Sequence, residues 1–202
     1  MAGNTIRTPQ QDRSREKLER IYAVAFELLV EGGWDAVTVG EVERRSKVSR
    51  STFYLRFPTR EALTDYVRQR LLQEVATAQD AAFEQARATP PTSLAEAVHA
   101  ATEALAGICR VYGPALGRLD FGDDPGVSAE AMDTLSNQFQ AVIDPVLPPG
   151  TSREQIEFTI ELVFNALVGR MRHQQPFPSH TRQPWDHFLN RLCAAAVRYL
   201  ES

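Results

Sequence analysis

The segment from Thr38 to Arg60 constrains this chain most. Gly32-Gly33 closes one helix before it and Pro58 stops another at its end, so only short elements fit between. Thr38 is a good N-cap for a helix over 39–45, with Glu41 at its third position as in a capping box. Ser46-Lys47-Val48 reads as a three-residue turn. Ser49 then caps a second short helix, its hydroxyl competing for a free backbone N–H. Two short helices joined by a three-residue turn, the second one basic, make the helix-turn-helix pattern.

The chemistry of the second helix fits that pattern. From Val48 to Arg60 there is no acidic residue; Arg50, Arg56 and Arg60 interleave with Ser49, Ser51, Thr52 and Tyr54, and Val48, Phe53 and Phe57 supply an apolar side. Arginine forks read guanine edges, hydroxyls reach phosphates or bases, and the apolar side docks on a supporting helix. The competing reading is an ordinary helical hairpin with a solvated basic face. Ahead of the pair, 12–30 reads as an amphipathic helix. Leu18, Ile21, Tyr22, Ala25, Phe26, Leu28 and Leu29 fall at spacings of three and four, and Trp34 and Val37 anchor the following turn.

These residues resemble the DNA-binding domain of the TetR family of transcriptional regulators. The resemblance runs from about Arg15 to Leu72. It is carried by Phe26, Gly33-Trp34, Thr38-Val39, Val42, Val48-Ser49, Thr52, Tyr54, Phe57, Arg60 and Leu63. Ser46-Lys47 stands where the family usually has Ala-Gly, Glu43 replaces a small residue, and Arg60 replaces a lysine, so Lys47 has to tolerate a twist that glycine usually supplies. The resemblance implies that Arg50, Ser51, Thr52 and Tyr54 face bases. It gives Lys47, Arg56 and Arg60 to phosphates, with Ser49 at the start of the reading helix and Thr38 at the start of the supporting one. It implies an all-α fold, with a helix-turn-helix domain over 1–60 (1–12 a flexible basic arm) and a ligand-binding and dimerisation domain over 61–202. The function implied is a ligand-responsive repressor that binds a palindromic operator as a homodimer.

Charge supports a polar division of labour. The 202 residues carry a net charge of −4, but residues 1–60 hold 11 lysines and arginines against 8 acids, and the remainder 11 against 18. Six cations and no acid lie between Arg44 and Arg60. A basic head on an acidic body localises attraction for DNA at one end. The arm adds Arg7, Arg13, Arg15 and Lys17. Cys109 and Cys193 lie far apart in apolar surroundings and read as buried free thiols. With no membrane-length apolar run and no signal peptide, the expected location is cytoplasmic.

The body reads as further helices. Thr59 caps a lever helix over about 59–87 with Leu63, Tyr66, Val67, Leu71 and Val75 on its buried side. A helix over 93–112 is expected to break at Gly113-Pro114, followed by a short helix over 115–121 and a loop over 122–126. Ser128 is expected to cap the next, which carries Met132, Leu135, Phe139, Val142 and Ile143. In 152–173, Ile156, Ile160, Val163, Phe164, Leu167 and Met171 form one stripe, with Phe158, Leu162 and Gly169 on another side. A helix apolar nearly all round is buried on both sides, so a homodimer through helices about 152–173 and 184–200 is expected. The alternative is that both helices only fill the core of one chain. The resemblance implies a small-molecule effector pocket in this body. Its candidate lining is Leu105, Ile108, Tyr112, Phe121, Met132, Leu135, Phe139, Phe164, Asn165, Leu167 and Met171. Asn165 is expected as a buried amide in need of partners.

Other chemistries find little support. His173, His180 and His187 recur at seven residues, but Pro176, Pro178 and Pro184 interrupt them and no cysteine joins them, so no metal is expected. Asp123-Asp124 lacks the remaining oxygen ligands of a calcium loop. There is no phosphate-binding loop, nucleophile elbow or dinucleotide fingerprint, so neither cofactor nor catalytic residue is expected. An all-helical enzyme or interaction module remains the second reading, and it leaves the basic helix unexplained.

Overall fold

A computed structural model describes residues 9–119, 125–172 and 184–202. Among the described residues the regular structure is all helical. It comprises α1 (Pro9–Gly32), α2 (Val39–Ser46), α3 (Arg50–Arg56), α4 (Arg60–Ala88), α5 (Leu94–Leu116), α6 (Pro125–Ile143), α7 (Arg153–Arg172) and α8 (Trp185–Leu200). Single 3-10 turns at Trp34–Ala36 and Asp144–Val146 link neighbours. Contacts divide the chain into two units, Met1–Glu74 and Val75–Ser202.

That division falls inside α4, further along than the 60/61 expected, because the first half of α4 is part of the head. Leu63, Val67 and Leu71 are fully buried, the Tyr22 hydroxyl donates to Glu74 Oε2 at 3.0 Å, and Arg70 pairs with Glu19 at 3.2 Å. The rings of Phe57 and Tyr66 lie 5.2 Å apart. On α1 the three-and-four stripe does its expected work: Ile21, Tyr22, Ala25, Leu28 and Leu29 are buried. Gly33 closes α1 with φ 71° and donates its N–H to the Leu29 carbonyl at 2.9 Å. That positive φ suits a residue without Cβ.

In the second unit α5 is the central helix, packed against α6, α7 and α8. Leu94, Val98, Ala101, Leu105 and Ile108 are buried as their spacing predicts. Phe83 of α4 joins the same core, and Gln79 of α4 donates to Gln138 of α6 at 2.7 Å. Burying an aliphatic or aromatic side chain of this size contributes about 1.5–3 kcal/mol.

Three expectations need correction. Gly113-Pro114 does not break α5, which continues through both to Leu116. Pro114 has no N–H for the helix, yet the Gly117 N–H still donates to the Gly113 carbonyl at 2.8 Å. Gly113 serves a close approach instead: a Cβ there would lie 2.4 Å from Cγ of Met171 on α7. Pro125 and Gly126, read as loop, begin α6, proline being at home in a first helical turn, and Ser128 therefore lies inside that helix. The short helix over 115–121 is in fact the end of α5 and a turn through Leu119, with its last two residues and loop positions 122–124 outside the described residues. Ser152 caps α7 in a complete capping box: its Oγ accepts from the Gln155 N–H at 3.2 Å, and Gln155 Oε1 accepts from the Ser152 N–H at 2.9 Å.

Candidate nucleic-acid interface

The head is built from α2, the turn and α3. Thr38 caps α2, its Oγ1 accepting from the Glu41 N–H at 3.3 Å. The reciprocal half of the expected box does not form, because Glu41 turns to two cations. Arg44 Nη2 donates to it at 2.6 Å and Arg45 Nε at 2.7 Å. The hydrogen bond from Arg44, then that from Arg45, holds the Glu41 carboxyl at about 2, well below the ordinary carboxylate range. Arg45 also reaches Glu31 of α1 at 3.1 Å.

The turn bears out the sequence's warning about Lys47. It sits at φ 54°, ψ 27°, the left-handed region where a side chain costs roughly 1–2 kcal/mol. Ser46, in the usual alanine position, is buried, and its hydroxyl donates to the Glu43 carbonyl at 3.4 Å. Ser49 is the N-cap of α3, but its side chain makes no capping hydrogen bond; the Ser49 and Thr52 hydroxyls bond each other at 2.8 Å.

Phe53 and Phe57 face inward, their rings 5.4 Å apart, and Val48 is buried with them. Thr38, Lys47, Ser49, Arg50, Ser51, Tyr54, Arg56 and Arg60 are exposed and Thr52 is half-buried. All the expected contact residues but Thr52 are therefore open to solvent, but their cations are not equivalent. The Arg50 guanidinium lies 5.4 Å from the Tyr54 ring centroid, and Arg56 donates to Ser14 Oγ at 2.6 Å. Arg60, expected on phosphate, donates to the Trp34 carbonyl at 2.7 Å and to the Val37 carbonyl at 3.3 Å. Its fork is used within the head. Sequence reasoning also passed over Leu55, an exposed apolar residue in the middle of α3. The inward spacing of Phe53 and Phe57 was the signal that placed it outward.

In the second unit the expected pocket residues scatter. Leu105, Leu135, Phe139 and Leu167 are buried in the packed core, with Met132, Phe164 and Met171 against it. Asn165 is exposed in the single chain, across α7 from Ile156, Ile160, Val163 and Leu167 and on the side of Phe158 and Leu162. Phe121 lies outside the described residues, as do His173 and His180. Ile108 and Tyr112 line a solvent-open groove of about 620 Å³ between α4 and α5. The other walls include Ala78, Ala82 and Ala86 of α4 and Ala100 and Ala104 of α5, with His99 and Glu103 as polar groups. Alanines at steps of four on both helices were the sequence signal for this groove, and went unused.

Cys109 and Cys193 are free and buried, and burial raises both thiols, that of Cys109 to about 11. Among the described residues there is no group of three or more His, Cys, Asp or Glu placed to hold a metal, and no helix long and apolar enough to cross a membrane.

A short basic helix held by its aromatic side on a capped supporting helix is the helix-turn-helix arrangement. Residues 21–67 match the family model of bacterial regulatory proteins, tetR family. That match covers the helix-turn-helix segment of the chain. No curated protein matches it significantly. Among solved structures it is similar to a transcriptional regulator (TerR/AcrR family) from Aquifex aeolicus VF5. That likeness has a TM-score of 0.56 and 18% identity over 89% of this chain and 96% of the other, and speaks for the fold.

Proposed function

We propose that the chain is a repressor that binds a palindromic operator as a homodimer and is released by a small, largely apolar effector. The observation that carries the DNA half is the acid-free exposed surface of α3 and its preceding turn. Arg50, Ser51 and Tyr54 stand clear of the head's core there, and Lys47 makes no ion pair among the described residues. Arg50, Ser51, Thr52 and Tyr54 are assigned to bases, and Lys47 and Arg56 to phosphates. A homodimer through α7 and α8 is supported by the outer side of α7, where Phe158 and part of Leu162 remain exposed in the single chain. Two heads on one operator have to meet half-sites about 34–36 Å apart.

The effector is assigned to the groove between α4 and α5. Its volume of about 620 Å³ suits a small molecule, and its alanine-rich walls suit an apolar one. Because α4 is one uninterrupted helix that supplies a groove wall and then, toward its N-terminus, part of the head, an effector that displaces it acts on DNA binding. Linkage requires the reverse as well: operator DNA weakens effector binding by the same factor.

The test is selection of duplexes from a random library by the full-length protein, followed by titration at several salt concentrations. A palindromic consensus, bound far more tightly than random duplex, is the expected result. Equal affinity for selected and random duplexes overturns the reading.

A further inference from the structure

We propose that Leu55 is a specificity-determining residue whose side chain contacts the 5-methyl group of thymine in each operator half-site. The inference rests on the DNA-reading surface proposed above and adds a residue and a base to it. Leu55 is 86% exposed, the most exposed of the large apolar residues described. It stands in the middle of α3, on the side opposite Phe53 and Phe57, which are 0% and 5% exposed. At 3.6 residues per turn the exposed Ser51 lies one turn before it on the same side. The head's buried aromatics lie on the far side of the helix, so nothing in the fold calls for an apolar group at this position.

The surroundings say what covers it. Lys47, Arg50 and Arg56 are exposed around it and none is in an ion pair among the described residues, so the partner is anionic. It must also present an apolar knob within its charged surface. The DNA major groove does both: phosphates line its edges, and the thymine methyl is the apolar group that its floor presents, already a contact for apolar side chains. An anionic membrane surface shares the charge but has no reason to prefer one base.

The experiment uses the duplex selected by the wild-type protein. The selected site is expected to hold thymine at one equivalent position in each half. Replacing that thymine by deoxyuridine removes the methyl and keeps the base pair. Wild-type affinity is expected to fall about fourfold per half-site, the factor that corresponds to ~0.8 kcal/mol for one buried methylene. The L55A protein should melt at the wild-type temperature and bind the thymine and deoxyuridine duplexes equally. Full thymine preference in L55A, or wild-type indifference to deoxyuridine at every thymine of the site, overturns the assignment and leaves the operator reading standing. Failure to enrich any duplex overturns both. Binding of L55A to phosphatidylserine vesicles that is weaker than wild type, with methyl discrimination on DNA unchanged, would assign the leucine to a lipid surface instead.

Discussion

The Arg60 guanidinium donates a 2.7 Å hydrogen bond to the carbonyl of Trp34. The first residue of α4 thereby holds the turn that follows α1, and a second bond reaches Val37 in the same turn. A residue that charge alone marks for phosphate is bonded within the head. Basic sequence and free positive surface are therefore different quantities in this chain.

Arg60→Ala should lower the stability of the head by about 1 kcal/mol. Bonds from a charged donor contribute roughly 1.5–3 kcal/mol, less here because Arg60 is about half exposed. Arg60→Lys should not restore the loss, since an ammonium lacks the planar fork that serves two carbonyls. Chemical denaturation of the three proteins measures this. Unchanged stability with weakened DNA binding would return Arg60 to the phosphates.

Lys47→Gly separates fold from function. Glycine at φ 54° removes the left-handed cost, so the variant should be more stable by about 1 kcal/mol. It should also lose one phosphate contact, reducing the slope of log affinity against log salt by about 0.9 per head. A more stable protein with an unchanged salt slope would remove Lys47 from the interface.

Glu41 gives the head an acid limit. Its folded value of about 2 lies below its ordinary 4.5, so its contribution is fully present above 4.5 and is lost as pH falls toward 2. Side-chain carboxyl NMR should follow that titration. Replacing both Arg44 and Arg45 by alanine should raise the midpoint back toward 4.5, and an unmoved midpoint would mean that the two guanidiniums are not its cause.

The two thiols should be inert in the folded chain. With Cys109 at about 11 and Cys193 also raised by burial, little thiolate exists near neutral pH. Iodoacetamide at pH 8 should leave both unmodified in native protein and alkylate both in denaturant, as mass spectrometry would record. Rapid native alkylation would mean that this core opens readily.

The placement of the dimer face is tested by contrast. Phe158 is 48% exposed, whereas Leu192 is 8% exposed and part of the chain's own core. Phe158→Glu should yield a helical monomer by sedimentation. Leu192→Asp should reduce helicity and stability, because it buries a charge within one chain. A Phe158→Glu protein that remains dimeric would move the interface elsewhere.

Periodicity made most of the helices legible, since a stripe such as Ile21, Ala25, Leu28 and Leu29 on α1 has one geometric solution. Thr38 and Ser49 were legible as helix starts from local chemistry, and Lys47 as a strained position from its departure from glycine. What stayed hidden depended on neighbours distant in sequence. Pro114 lies inside a helix that runs on to Leu116, and Gly113 is set by its approach to Met171 of α7. Arg60 is committed because two carbonyls more than twenty positions earlier lie within its reach.

The boundary between the two units lies at Glu74–Val75, within the continuous helix Arg60–Ala88. The helix runs unbroken through that boundary. One residue inserted near that point turns everything beyond it by about 100° and advances it by about 1.5 Å. Insertions over 89–93 fall between helices, whereas one inside α4 shifts the phase of the helix itself. The length of this helix is therefore a heritable parameter in its own right, and recombination that exchanges heads between such proteins has to preserve helical phase as well as sequence.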